Sequence, residues 1–299
     1  MDTRDGLAER FEAHRADLRA VAYRMLGSRT DADDAVQEVW VRLDRTDGRD
    51  IENLAGWLRT VLSRICLDML RARRSRREAP VGLQVPDTAW DEGAGGDPEH
   101  EALIADSVGR ALLVVLERLT PAERVAFVLH DMLAVSFEEI ATIVGRSLVA
   151  AKKLASRARQ KVRGKPAVPA AELARQRHVV DAFLTASRRG DVEGLLAILD
   201  PGVVRRADPA ALPPGIPAEV RGAREVAKEA AVFSARSAVA EVALVDGLPG
   251  IVVAPRGHLQ LALTLTLRDG RITACDVIAD PARLGGLTLA ILGAESVEE

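Results

Sequence analysis

The chain has little cysteine and no long apolar run, and both shortages narrow what it can be. Its two cysteines, Cys66 and Cys275, lie far apart with no CxxC and no histidine partner spacing. That excludes a zinc finger, argues against a disulfide framework and points to a reducing compartment. The opening residues MDTRDGLAER lack the apolar core of a secretory signal, and no stretch approaches the length that spans a bilayer, so the sequence reads as cytoplasmic with no membrane partner. No internal repeat is visible, and nothing in the pattern calls for a metal or a cofactor.

Charge of one sign is missing in two places. Between Arg77 and Arg110 there is no Lys or Arg, while eight acids from Glu78 to Asp106 stand amid Pro80, Pro86, Gly93, Gly95, Gly96 and Pro98, the composition of a flexible acidic linker over 79–107. From 146 to 165 there is no acid, while Arg146, Lys152, Lys153, Arg157, Arg159, Lys161, Arg163 and Lys165 supply eight positive charges. The formal net charge of −3 over 299 residues therefore hides a local basic patch, the quantity that matters for nucleic acid. A chain of this length holds two or three domains, each with its own core.

The basic patch sits on a patterned segment, FEEIATIVGRSLVAAKKLASRARQKVR (137–163). Phe137, Ile140, Ala141 and Val144 share one helical face; Gly145 supplies the positive φ of a tight turn, and Ser147 caps the following helix. Leu148, Ala151, Leu154 or Ala155, Ala158 and Val162 form that helix's inner stripe. This is a helix-turn-helix whose second helix presents cations to phosphates in the major groove. A second joint follows at 166–171, where Pro166 and Pro169 interrupt helical pattern.

Before the acidic linker the chain reads as helical. Leu18, Val21, Ala22, Met25 and Leu26 form one stripe; Ala35, Val36, Val39, Trp40 and Leu43 form another. Asp34, Gln37 and Glu38 share the face opposite the second stripe, where acids suit a basic protein partner. Downstream, Asn53 to Arg77 carries seven arginines against Asp68 as its only acid. Leu58, Val61, Leu62, Ile65, Leu67, Met69 and Leu70 pack this helix and leave Arg59, Ser63, Arg64, Asp68 and Arg71 outward. Trp57 stacks on an unpaired base or fills the core, with core favoured by residue type. From 172 onward two helical segments, about 173–189 and 192–199, lead into alternating runs separated by Asp246-Gly247, Pro255-Arg256-Gly257 and Asp269-Gly270, an α+β block.

The order of these elements resembles regions two and four of a bacterial extracytoplasmic-function sigma factor. The acidic helix DADDAVQEVW, NLAGWL with its Arg-rich helix, the acidic linker and LTPAERVAFVLHDMLAVSFEEIATIVGRS carry the likeness over about 18–163. The variant VAAKKLASRARQKV and the tail, with VVDAFLTASRRGDVEGLLAILDPGVV and VIADPARLGGL, are similar to the subgroup fused to a SnoaL-like, NTF2-like domain. Two segments depart from that subgroup: GLQVPD (82–87) stands for a WLPEP-like motif, and Asp208-Pro-Ala-Ala for a DGGG-like one.

The resemblance implies a multidomain fold: region 2 as an all-α bundle over 1–78, region 4 as a helix-turn-helix over 108–165, and an α+β NTF2-like cone over 172–299. It implies core polymerase binding to the β′ clamp through Asp33, Asp34, Gln37 and Glu38, a contact with the β flap, and capture of the melted minus-ten non-template strand through Asn53, Trp57, Arg59, Ser63, Arg64, Arg71, Arg73 and Arg74. It further implies reading of double-stranded minus-thirty-five DNA through Arg146, Ser147, Ala150, Lys152, Lys153 and Arg157, and contact between tail and sigma domains within the chain. The cone's candidate pocket residues are Arg206, Asp208, His258 and Asp276. A regulatory tail is preferred to a catalytic one, because fold analogy is weak warrant for chemistry. Two other classes remain: a helix-turn-helix activator, against which the second basic module argues, and a small-molecule enzyme with an appended DNA module.

Overall fold

A computed structural model describes residues 3–46, 51–78, 109–213, 215–232, 237–255 and 258–292. The acidic linker and the Arg256-Gly257 turn lie outside the described residues. The chain divides into two compact units, one of Met1–Val108 with Leu119–Arg159, the other of Gly109–Arg118 with Gln160–Glu299.

In the first unit, α1 (Thr3–Leu26), α2 (Arg29–Asp44) and α3 (Leu54–Glu78) pack on one another. Ser28 caps α2 by accepting the Asp31 N–H at 3.3 Å, and Asn53 Oδ1 accepts the Gly56 N–H at 3.0 Å where α3 begins. Most of both expected stripes is inside: Leu18, Ala22, Met25 and Leu26 from α1 and Ala35, Val36, Val39 and Leu43 from α2 are buried, while Val21 is half-buried. Trp40 is half-buried with its ring 5.1 Å from that of Phe11. From α3, Leu58, Leu62, Ile65, Leu67 and Leu70 are buried, as is Cys66, and Arg73 pairs with Asp31 and donates to the Leu26 carbonyl at 3.1 Å. Ser63 departs from expectation. It is fully buried, because its hydroxyl donates to the Arg59 carbonyl one turn earlier at 2.7 Å and so needs no water.

The helix α4 (Arg110–Glu117) belongs to the second unit, and the first resumes with α5 (Pro121–Phe127). Thr120 and Glu123 form a reciprocal capping box with Pro121 in the first turn, which fixes where α5 starts. One π-helical turn, Val128–Met132, leads to α6 (Phe137–Val144) and α7 (Leu148–Arg163). Gly145 closes α6 at φ 67° and ψ 43°, with the Arg146 N–H reaching the Ala141 carbonyl at 3.0 Å. The inner stripe of α7 is Ala151, Ala155, Ala158 and Val162, all buried. Leu148 is 37% exposed, against expectation. It lies in the first turn of α7, a turn ahead of Ala151, and outside the line that packs inward.

The second unit is the α+β block. α8 (Ala170–Arg189) and α9 (Val192–Ile198) precede β1 (Leu199–Ala207) and β2 (Glu219–Arg221); α10 (Ala223–Val232) follows, then β3 (Ala240–Val245), β4 (Leu248–Val253), β5 (Leu261–Arg268), β6 (Arg271–Ile278), α11 (Pro281–Gly286) and β7 (Leu289–Ala290). The strands form one sheet in the order β2-β1-β6-β5-β4-β3-β7, in which β1 and β6 run parallel and the other neighbours antiparallel. Helices α8 to α10 close over the sheet around Val180, Leu184, Leu195, Val203, Ile251 and Ile272. Asp246-Gly247 and Asp269-Gly270 take φ of 50° and 82°, and of 52° and 75°, the paired positive values of a tight hairpin turn. Strand β1 has no counterpart in the sequence reading. Pro201 and Gly202 break its pattern, and its pairing with β6 shifts register between Leu199 and Val204.

Within this unit the last strand holds the parts of the helix-turn-helix region that the unit contains. α4 packs against β3 and β7, and Arg118 Nη2 donates to the Leu284 carbonyl at 2.7 Å. The Ile291 N–H donates to the Val162 carbonyl at 2.8 Å. Gly164 sits at φ +62°, and a Cβ built there would come 2.3 Å from the Cβ of Ala290. Replacing Gly164 with Ala should therefore lower stability by about 1–3 kcal/mol through the left-handed backbone alone, with the clash added. Urea unfolding reads this, and the loss should shrink when Ala290→Gly is combined with it.

Candidate functional site

The acidic face of α2 is open. Asp33, Asp34, Gln37 and Glu38 are all exposed. Asp33 pairs with Arg19, and Glu38 accepts from Arg42 Nε at 2.9 Å one turn on. Such surface pairs are weak, about 0.2–1 kcal/mol, so they tie the face down only lightly. Asp34 and Gln37 lie between them on the same face.

The arginine-rich α3 is engaged from the side of α6. Arg59 Nη2 donates to Glu139 Oε2 at 3.0 Å, and Arg64 Nη2 to the Thr142 carbonyl at 3.3 Å. The neighbouring Asn53 is exposed, Trp57 is half-buried, and Arg71 pairs with Asp68 at 3.2 Å. Arg74 is exposed, Arg73 is taken up by Asp31, and Ser63 is buried as described. Sequence spacing brings these residues onto one helix, but it gives no sign of the long-range pair between Arg59 and Glu139.

On α7 the outward residues are basic at their tips. Arg146, Ser147, Lys152, Lys153 and Arg157 are exposed, and Ala150 is partly covered. Ser147 Oγ accepts the Ala150 N–H at 3.3 Å, which leaves the first turn of α7 well formed. Lys152 Nζ lies 5.8 Å from the centre of the Phe137 ring. Arg159 is withdrawn from the set. Its Nε donates to Asp131 Oδ1 at 2.6 Å, and that hydrogen bond holds its pKa above the ordinary value. Val149 stands 63% exposed between Leu148 and Ala150, an apolar side chain of the kind that meets thymine methyl groups in a major groove.

The four tail candidates separate into different environments. Arg206 and Asp276 approach to 4.0 Å, but on the outer face of the sheet, where Arg206 also binds Glu219. His258 Nδ1 lies 2.9 Å from Glu117 Oε1, at the end of α4. Asp208 accepts the backbone N–H groups of Ala279 and Asp280, each at 3.0 Å, and pairs with Arg283. Burial works to raise its pKa, but those two N–H groups and Arg283 outweigh it and hold it below the usual value.

The tail's cavity, about 120 Å³, is lined by none of these four. It is reached by the residues just before Arg206 and Asp276 on their strands, Arg205 and Cys275, because side chains alternate faces. Arg205 is buried and bidentate to Glu229 at 2.9 and 2.5 Å, with Nη1 on the Pro217 and Ala218 carbonyls. The inward alternation of Val203 and Arg205 would have selected Arg205 once β1 was recognised as a strand. Burial pushes the thiols of both Cys66 and Cys275 up to about 12, so both are neutral and unreactive near pH 7. Among the described residues no group of three or more His, Cys, Asp or Glu could hold a metal ion, and no helix is long and apolar enough to cross a membrane.

Comparison with known proteins places these sites in context. Residues 10–76 match the Sigma-70 region 2 family, and residues 109–162 match the Sigma-70 region 4 family. The chain is 36% identical over 292 residues to the probable ECF RNA polymerase sigma factor SigI of Mycobacterium tuberculosis, covering 96% of this chain and 98% of the relative. It is 36% identical over 301 residues to the ECF RNA polymerase sigma factor SigJ of the same organism, covering 93% of each. The crystal structure of SigJ, an extracytoplasmic function sigma factor, aligns at a TM-score of 0.46 and 33% identity, covering 93% of this chain and 98% of that one.

The environment of Asp208 generates a pH dependence. Because its folded pKa lies below the unfolded value, its contribution is fully present above the ordinary carboxylate range and is lost as pH falls through the folded value. Asp208→Asn should lower the thermal midpoint near pH 7 and flatten the acid side of the stability profile below about pH 4. Thermal melts at stepped pH measure both; parallel acid limbs for the two proteins would show that Asp208 contributes nothing.

Proposed function

The chain belongs to the extracytoplasmic-function RNA polymerase sigma factors, and from that premise we propose how its parts divide the work of promoter-specific initiation. Residues 1–78 act as region 2, 108–165 as region 4 and 172–299 as an NTF2-like regulatory domain, with 79–107 as linker. The acidic face of α2, with Asp33, Asp34, Gln37 and Glu38, docks on the β′ clamp of core polymerase, and region 4 meets the β flap. Asn53, Trp57, Arg59, Arg64, Arg71 and Arg74 handle the melted minus-ten strand, and α7 reads the minus-thirty-five duplex from Arg146 to Arg157. The observation that carries this reading is the separation of charge within one unit: an exposed acidic face on α2, against cationic faces on α3 and α7.

Two of the minus-ten residues, Arg59 and Arg64, are held by α6. Promoter engagement therefore exchanges the Glu139 carboxylate for a phosphate, and regions 2 and 4 must separate before both reach DNA. The tail is a regulator and not a catalyst in this reading. Asp208 is committed to backbone and Arg283, His258 faces Glu117, and Glu229, which lines the cavity, is bound to Arg205. Its leverage lies in α4 and the last turn of α7, which its strands hold.

Run-off transcription with core polymerase on a genomic promoter library tests the reading. The wild-type protein should start transcription at a defined promoter class. The double variant Asp34→Lys, Glu38→Lys should lose core binding by at least about tenfold, as like charges meet, while binding of an isolated minus-thirty-five duplex stays unchanged. Core binding that survived both reversals would sink the assignment of α2. Separately, Glu139→Gln should raise affinity for a forked minus-ten DNA by about two- to fivefold, the size of one exposed ion pair; unchanged affinity would mean that the pair does not restrain Arg59.

A further inference from the structure

The tail cavity combines an apolar wall with one buried hydroxyl that has no hydrogen-bond partner among the described residues. Phe183, Leu184, Val226, Ile251, Val253 and Leu263 form much of the wall. Ser187, on α8, lines the same space; it is only 3% exposed, and its Oγ has no hydrogen-bond partner among the described residues. A helical serine ordinarily has an easy alternative, namely donation to a carbonyl one turn earlier. Ser63 and Thr142 both take it, at 2.7 and 3.1 Å. Ser187 does not. Buried polar groups are rarely left unsatisfied, and an exception that lines an apolar cavity asks for a partner that arrives from outside.

The remaining polar lining fixes the charge of that partner. Arg205 and Glu229 are bound to each other by two hydrogen bonds, and Arg205 is saturated further by the Pro217 and Ala218 carbonyls. An ionised ligand would have to break this pair inside a poorly solvated site, whereas a neutral one leaves it intact. Cys275 faces the space as a neutral thiol and both carboxylate oxygens of Glu229 accept from Arg205, so the lining is suited to hold a molecule and not to transform it. The volume, about 120 Å³, is close to that of engineered cavities of about 150 Å³ that take up benzene.

We propose that the tail cavity binds a small, neutral, largely apolar molecule, of the size of a single six-membered ring, that carries one hydroxyl or carbonyl group, and that Ser187 is the residue that recognises this group. The full-length chain, labelled at its Ile, Leu and Val methyls, is titrated with phenol and, separately, with benzene. Both probes should give saturable shifts at Ile251, Val253 and Leu263. Ser187→Ala should weaken phenol by about fivefold and leave benzene within about twofold, as expected for the loss of one neutral hydrogen bond. Ala230→Leu, which places bulk against the same space, should abolish both. Absence of saturable shifts with either probe overturns the proposal, as does an equal loss for both probes in Ser187→Ala. Should that variant fail to give a folded spectrum, Ser187→Cys, with a weaker donor, provides the same comparison.

Discussion

The joint between the last strand and the end of α7 is the constraint on which the second unit depends. The Ile291 N–H reaches Val162, the Cβ of Ala290 occupies the space that a side chain at 164 would need, and Ala167 donates to Gly247 at the β3–β4 turn at 2.8 Å. A glycine is required twice over at 164: for its positive φ and for the missing Cβ. That close approach lets the strand lie directly on the chain leaving the helix. With β7 fixed there, α4 gains its wall, Arg118 gains the carbonyl of Leu284, and Leu113 to Leu116 are covered.

In the first unit a second balance is electrostatic. Acids are gathered on α2 and cations on α3 and α7, yet several cations already have acidic partners: Arg73 with Asp31, Arg59 with Glu139 and Arg159 with Asp131. Pairs of this exposure contribute little to folding. Their effect is on availability. An arginine held by a carboxylate is offered to a phosphate only by exchange, so the basic patch counted in the sequence overstates the charge that is immediately free to meet DNA.

What the sequence makes legible is what local chemistry decides. The turn at Gly145, the cap at Ser147 and the Asp-Gly hairpins each need a residue type at a fixed position, and each is where its spacing predicts. The stripes of α1 and α2 follow from period alone. Features that depend on a distant neighbour are not legible. Strand β1 hides behind Pro201 and Gly202 because its parallel partner, β6, supplies what propensity does not. Choosing Arg206 over Arg205 is a one-residue slip, and in a strand such a slip exchanges surface for interior. Leu148 reads as core because leucine usually is, but it stands outside the line of Ala151, Ala155 and Ala158 that packs inward. Ser63 reads as surface until its bond to Arg59 is seen.

The placement of α4 has a consequence for the order in which the protein is made. Leu113, Val114, Val115 and Leu116 leave the ribosome early, but of the strands against which this helix packs, β3 is synthesised more than a hundred residues later and β7, ending at Ala290, later still. Until then its apolar face is uncovered, and the segment that leads into the helix-turn-helix lacks its support. Nascent chains expose such surfaces at a risk of misassembly. The same delay means that α4 completes its packing only once the chain has been made as far as β7.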